Sequence, residues 1–412
     1  MTTSASSHVD PLVLACQRDS YTRELQTRVK AHQPTEGGVL VEFEDSILFP
    51  EGGGQPSDAG TVDGVPVGQV FRHADGRVLH ALPSVPADPS KVVLSVDWGR
   101  RFDHMQQHTA QHLISALAMS RFNADTASWS LGKELCTIDF NVPKISQEDL
   151  GRLEELVNEE IRQAKPVRCH EVRTDEDKAA LPEAVRSRGL PTNLGVIRLI
   201  EISGVDMNTC CGTHVSNLSE LQMIKFVGTE PKKGMVRVSF LAGNRLSRAV
   251  STWSEREKKL NITLQCAATE HVAAATRINN DIKALTQQKR KLMKDLAVFV
   301  GQSAVKEGHK LVDVHRDDVD MSFLQTTAKA AQDAARAAAS ELVLFLSFSE
   351  GEGGQFILQG PQALVAETGK QVAELLQGKG GGRGNTFQGR AGSFKRRNEV
   401  VELLRAQLRS SS

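Results

Sequence analysis

Two short segments about a hundred residues apart place the strongest constraint on how this chain folds. His108-Thr109-Ala110-Gln111-His112 sets two imidazoles at i and i+4, so a helix carries them on one face, a turn apart. Cys210-Cys211-Gly212-Thr213-His214 offers a thiol and an imidazole four residues apart, beside a glycine that lets the backbone turn. Together they read as two halves of one metal site, a His/His/Cys/His set suited to Zn²⁺ in tetrahedral N/S coordination. Residues 101–248 are expected to form an α+β domain with both halves inside it.

Two choices inside that set stay open. His104 stands to His108 as His108 stands to His112, although its place reads as a surface position at a helix start. Cys210 and Cys211 compete as the thiol ligand. If four protein groups bind at once, the site resembles a closed structural zinc; hydrolysis needs one position weak or displaceable.

The chain of 412 residues exceeds one ordinary core. A hydrophobic share of 40% and a charged share of 24% fit a globular protein, and no apolar run reaches the length that crosses a bilayer. Met1–Asp10 has neither a basic nor an apolar leader region, so a cytoplasmic setting without membrane attachment is expected. The six cysteines are scattered apart from Cys210-Cys211, which argues for reduced thiols. Net charge is zero, yet Lys379, Arg383, Arg390, Lys395, Arg396 and Arg397 follow one another with no acid between. Such a local excess is compatible with nucleic-acid binding.

Local patterns divide the chain into four expected parts. Residues 1–100 read as a β-barrel-like domain, with strands at Val39–Phe43, Ser46–Phe49 and Val92–Val96 and a glycine loop, Gly52-Gly53-Gly54, between two prolines. In residues 101–248 a helix starts at Asp103, capped by Asp103 with Gln106, and a second runs from Ser146 to Lys165. Strand-like runs follow at Val196–Ile202, Leu221–Val227 and Val236–Phe240. Residues 249–309 read as a helical arm, with Ile278, Leu285, Leu292 and Phe299 recurring every seven residues beside Ile282 and Leu296. That repeat is compatible with a monomer or a homodimer. Residues 310–412 read as α/β, with an alanine-rich helix at Ala328–Ala339, strands at Leu342–Leu346 and Phe356–Leu358, a glycine loop from Gly378 to Gly384, and a last helix from Asn398.

The two metal motifs, His-Thr-Ala-Gln-His-Leu and Cys-x-Gly-Thr-His-Val, resemble the editing domain of alanyl-tRNA synthetase and the free-standing AlaX-type editing proteins. Three further segments agree in order: Phe49–Asp58, with the glycine motif; Arg100–His104, a basic lead-in; and Gly378–Arg383, similar to the glycine-rich motif of the synthetase C-terminal domain. They cover most of the chain, which points to the long AlaX form. Too little chain precedes Phe49 for an aminoacylation domain, so a synthetase is not expected.

The resemblance implies a zinc-dependent editing domain at 101–248 and a tRNA-contacting domain at 310–412. It implies hydrolysis of mischarged tRNA(Ala), chiefly Ser-tRNA(Ala), with Gly-tRNA(Ala) the second candidate. It carries the metal ligands onto His108, His112, Cys210 and His214. Cys211 departs from the synthetase pattern, where a glycine stands. Thr109, Gln111, Ser128 and Ser130 are candidates to read a serine hydroxyl, since a site built to hydrogen-bond that group rejects alanine. Gly53, Gly54 and Gln55, with Lys379 and Arg383, are candidates for tRNA contact. No Asp or Glu lies inside either metal motif, so no catalytic base is assigned. The alternative is a non-catalytic tRNA-binding protein with a structural zinc.

Overall fold

The computed structural model describes residues 13–186, 196–306 and 309–410; Met1–Asp10 lies outside them. The protein is mixed α+β and divides into two compact units, Met1–Glu257 and Lys258–Ser412. Among the described residues, no helix is long and apolar enough to cross a membrane.

The first unit begins with two four-stranded antiparallel sheets around one apolar core that includes Val41, Leu48, Phe49 and Leu94. Val39–Phe43 and Val92–Val96 fall within strands as expected, but Ser46–Phe49 forms none. Ile47, Leu48 and Phe49 are buried all the same. Their backbone is satisfied by side chains instead of a ladder. Ser46 Oγ accepts from Leu48 N–H at 3.0 Å, Asp58 Oδ2 from Phe49 N–H at 2.7 Å, and the Ile47 carbonyl accepts from Arg101.

The metal-motif helix runs Trp98–Phe122, starting earlier than expected. Asp97 is its N-cap and accepts from Arg100 N–H at 3.1 Å. Asp103 and Gln106 are not a capping box, because both are committed elsewhere. Asp103 pairs with Arg245 and Arg248, and Gln106 donates to the Glu220 carbonyl at 2.7 Å. Asn123, in the left-handed region at φ 51°, ends the helix. The second helix, Gln147–Arg162, is capped by Ser146. Both helices share a core with a four-stranded antiparallel sheet, ordered Ile224–Lys232, Met235–Ala242, Cys136–Phe140, Thr126–Ser130. A three-stranded sheet, Val167–Val172, Ile197–Ile202 and Asp206–Thr209, delivers the chain directly to Cys210.

The second unit is built on a five-stranded sheet, ordered Leu311–Arg316, Val343–Glu350, Gly353–Gln359, Thr386–Ala391, Lys379–Arg383. The strand Val343–Glu350, second in that order, is apolar on both faces. Val343 and Phe345 face the core of helices Gln362–Leu375 and Arg397–Ser410, while Leu344 and Leu346 face helices His271–Lys306 and Met321–Ala337. Helix His271–Lys306 packs through Met293, Leu296, Ala297, Val300 and Ala304. The seven-residue series is therefore not its packing seam: Leu285, Leu292 and Phe299 are 63%, 68% and 66% exposed. The expected loop at Gly378–Gly384 contains an edge strand instead. A Cβ at Gly382 would lie 1.9 Å from the Thr386 carbonyl oxygen, and one at Gly380 2.6 Å from the Phe387 ring. These glycines permit close strand pairing rather than a phosphate-cradling turn.

Candidate metal centre

The two motifs meet. One ligand atom from each of His108, His112, Cys210 and His214 lies within 4.8 Å of all the others. Cys210 Sγ is 3.4 Å from His108 Nε2 and 3.2 Å from His214 Nε2. Ring centroids of the three histidines are 4.4–5.1 Å apart. Neither His104 nor Cys211 belongs to this group. His104 is not at the surface either; it is only 4% exposed.

The rear of the cluster is a closed hydrogen-bond network. His108 Nδ1–H donates to Gln55 Oε1 at 2.9 Å, and His214 Nδ1–H donates to Thr109 Oγ1 at 3.0 Å. Each Nε2 is thereby turned to the cluster. Gln55 Oε1 also accepts from Thr213 N–H at 3.0 Å, and Gln55 Nε2 donates to Thr213 Oγ1 at 2.9 Å. Thr109 Oγ1 accepts from Val215 N–H at 3.2 Å. Arg198 Nη1 donates to the carbonyls of Cys210 and Gly212 at 2.8 and 2.6 Å, which fixes the loop. Gly212 permits no side chain, since a Cβ would fall 2.2 Å from His108 Cε1.

Electrostatics suit a bound cation. Burial holds His108 and His214 well below the usual imidazole value and takes His112 down to about 4, with Asp206 acting the other way on His112. The three rings are therefore neutral ligands at pH 7. Burial pushes the Cys210 thiol up to about 12, against the Gly212 N–H and the Arg198 charge. Only a cation in the cluster makes that sulfur a thiolate near neutrality.

The open side is formed by the first glycine turn and one strand. Gly52 and Gln55 exchange two backbone hydrogen bonds of 3.0 Å, and Gly53 and Gly54 between them have φ of 59° and 80°. Positive φ at both central positions requires glycine or a similar residue. The turn lies over Trp129 and Cys211: a Cβ on Gly54 would be 2.7 Å from the indole, and one on Gly53 3.0 Å from Cys211 Sγ. The Trp129 ring packs on His108 with centroids 4.8 Å apart.

Among known proteins, residues 197–239 match the family described as threonyl and alanyl tRNA synthetase second additional domain. Alanyl-tRNA editing protein Aarsd1 of Rattus norvegicus is 40% identical over 97% of this chain and 99% of its own. The Danio rerio protein of the same name is 39% identical over 96% and 97%. The chain belongs to the alanyl-tRNA editing protein family. A more distant relative, alanyl-tRNA editing protein AlaX-L of Pyrococcus horikoshii, is 27% identical over 95% of this chain and 97% of its own. The C-Ala domain of Aquifex aeolicus alanyl-tRNA synthetase is 24% identical over 23% of this chain and 86% of that one, with a TM-score of only 0.20.

In this alanyl-tRNA editing family member the other expected site residues fall in distinct places. Thr109 is fully buried behind His214, and Gln55 is fully buried behind His108. Gln111 Nε2 donates to Ser115 Oγ at 2.9 Å, and Ser128 Oγ donates to Asp139 Oδ2 at 2.6 Å. Ser130 is exposed, and its hydroxyl has no partner among the described residues. Gly53 and Gly54 are exposed beside the cluster; Lys379 and Arg383 are exposed in the second unit. Of the basic run, Arg390, Arg396 and Arg397 are paired with Glu350, Glu399 and Asp313. Three participants were not legible beforehand: Trp129 as the wall, Thr213 as the link to Gln55, and Arg198 as the loop clamp. Only the apolar Trp129 between two serines carried any signal, by alternation along a strand.

Proposed function

We propose that this protein is an aminoacyl-tRNA deacylase acting in trans, which hydrolyses the ester of tRNA(Ala) mischarged chiefly with serine and secondarily with glycine. The supporting observation is the convergence of His108, His112, Cys210 and His214 within 4.8 Å, in a chain 40% identical along its length to an alanyl-tRNA editing protein. Zn²⁺ fits this set: three neutral imidazoles, two of them, His108 and His214, with engaged rear nitrogens, and a sulfur that a cation would hold as thiolate. When bound there, it supplies a Lewis acid for the ester carbonyl or a hold on the substrate amino group.

The chain's own residues position the substrate. Trp129 shields His108 from water, and the exposed Gly53-Gly54 turn lets a nucleotide backbone approach the cluster closely. Gln111, on the metal-motif helix, reads the amino acid, with Ser128 and Ser130 flanking Trp129 on the neighbouring strand. Thr109 and Gln55 act through His214 and His108. Lys379 and Arg383 contact tRNA elsewhere on its surface. In this reading residues 101–248 carry the editing chemistry, residues 1–100 bring the glycine turn to it, 249–309 form the arm, and 310–412 bind tRNA in a cytoplasmic setting. All six cysteines are free thiols, consistent with a reducing compartment.

The closeness of all four ligand atoms favours one second reading, a tRNA-binding protein whose zinc is structural. Single-turnover deacylation of Ser-tRNA(Ala) beside Ala-tRNA(Ala), with zinc-loaded and chelated protein, decides between them. Zinc-dependent loss of serine with alanine spared, abolished in a folded, tRNA-binding His112→Ala variant, is the expected result. An inactive wild type that still binds tRNA would establish the structural zinc.

A further inference from the structure

One helical turn from the metal cluster, toward the N-terminus of the same helix, lies a cavity of about 530 Å³. Arg100 and His104 line it from the helix, Ser130 and Lys133 from the strand end after Trp129, and Arg248 from helix Asn244–Leu264. Pro56, next after Gln55, closes one side. The cavity and the cluster therefore share the helix, the Trp129 strand and the glycine turn. His104 precedes His108 by four residues, a rise of about 6 Å along the axis.

The cavity is cationic. Arg100, Lys133, Arg245 and Arg248 face one carboxylate, Asp103, so four positive charges less one negative leave three. Asp103 is shared by Arg245 and Arg248, at 2.8 and 3.0 Å. Arg100 reaches only the Ser57 carbonyl, at 3.0–3.1 Å, and exposed Lys133 has no partner among the described residues. His104 is 4% exposed and its Nδ1 has no hydrogen-bond partner. A buried polar nitrogen without a partner costs free energy that a ligand can return. A neutral imidazole among cations matches a ligand that joins negative charge to hydroxyl or ring-nitrogen groups.

We propose that this cavity holds the phosphodiester backbone of the single-stranded 3′ end of the tRNA substrate. Arg100, Lys133 and Arg248 neutralise its phosphates, and His104 hydrogen-bonds a sugar or base. The strand then passes beneath the glycine turn, and its terminal ester arrives at the metal cluster one turn further along the helix. The identity of the RNA rests on the deacylase reading; the charge and the unpartnered histidine do not.

The test uses the full zinc-loaded chain and fluorescent tRNA(Ala), intact or trimmed of its 3′ single strand, titrated across a salt series. Wild type should bind the intact form at least about tenfold more tightly, a loss in keeping with several phosphate contacts. The Arg100→Gln/Lys133→Gln variant should lose most of that preference, with trimmed tRNA held as by wild type. Its salt slope for intact tRNA should fall by about 1.4, at about 0.7 per single-strand phosphate contact. Both side chains are exposed, and Lys133→Glu alone repeats the test should the pair prove unstable. Equal binding of both forms by wild type would overturn the proposal, as would a variant that weakens both forms equally. Wild type that distinguishes the two tRNAs but hydrolyses no ester leaves the cavity assignment standing and removes the deacylase reading.

Discussion

Gly52-Gly53-Gly54 and Gly380-Gly381-Gly382 look alike in sequence and do different physical work. In the first, Gly53 and Gly54 adopt positive φ, and the turn lies on Trp129 and beside Cys211. Its glycines answer to a backbone shape and to a site. In the second, none of the three has positive φ, and they form an exposed edge strand against Thr386–Ala391. Gly380 and Gly382 answer to close approach by a neighbouring strand, while a side chain at Gly381 would meet nothing. Composition marks both as unusual, but only the surroundings say why glycine is needed.

The fastening of the two segments differs too, and the largest predicted effect tests this. The first turn is anchored by Arg101, which is 0% exposed and bonds Asp58, the Ser20 carbonyl and the Ile47 carbonyl. The Arg101→Leu variant leaves Asp58 buried without its cation and should lose about 3–5 kcal/mol in urea unfolding. Adding Asp58→Leu should return most of that loss. Truncating Arg383, exposed beside the second segment, should change stability by less than about 0.5 kcal/mol.

Acid should loosen the approach to the first segment. His80 is fully buried, with its Nε2 2.8 Å from Ser46 Oγ and its Nδ1 3.2 Å from the Val41 carbonyl. Burial lowers its value from 6.5 to about 4. The unfolded chain therefore takes up the proton first as pH falls. The stabilisation is complete above 6.5 and is lost at about 1.4 kcal/mol per pH unit down to about 4, about 3 kcal/mol in all. Urea midpoints of wild type and His80→Gln between pH 7.5 and 4.5 should show the variant with the shallower slope; parallel slopes would refute the assignment.

Gln55 ties the first segment to chemistry. Gln55→Leu frees His108 Nδ1 and Thr213 N–H, and zinc affinity should fall about 10–100-fold by competition with a chelating dye. Deacylation at limiting zinc should fall in parallel and recover at excess. No substitution in Gly380–Gly382 should move zinc affinity at all.

Local chemistry made part of this legible. The i,i+4 histidines and the Cys-x₃-His loop announced a cluster able to hold a metal because metals demand particular atoms, whereas Gly212, read as a turn residue, proves to be needed for close approach to His108. Helix Gln147–Arg162 and strand Val92–Val96 followed from periodicity and capping. What failed were places where tertiary partners displaced local ones. Asp103 and Gln106 had the pattern of a cap but serve Arg245 and Glu220. Ser46–Phe49 had the pattern of a strand, but Arg101 and Asp58 took its backbone bonds. The apolar series from Ile278 to Phe299 marked a face that stays exposed, while alanine and glycine on another face allow close helix packing. A Cβ on Gly301 would be 2.5 Å from the Thr327 carbonyl oxygen. Burial of Gln55 and Thr109 behind the ligands had no local signature, because each depends on a partner far away in the chain.

The smallest expected effect gives the sharpest form of the comparison. Gly381 has nothing within 4 Å of a built Cβ and no positive φ, so Gly381→Ala should leave stability within about 0.5 kcal/mol and tRNA affinity unchanged. Gly54→Ala places its methyl 2.7 Å from the Trp129 ring at φ 80°. It should displace that ring from His108 and lower deacylation at least about tenfold, with a melting temperature only a few degrees lower. If Gly381→Ala proves the more damaging in deacylation assays, the second segment must meet tRNA through its bare backbone, and an exposed edge strand would then be a binding surface rather than a packing solution. If Gly54→Ala alone is damaging, glycine at the site answers to the indole, and glycine at the edge answers to the neighbouring strand.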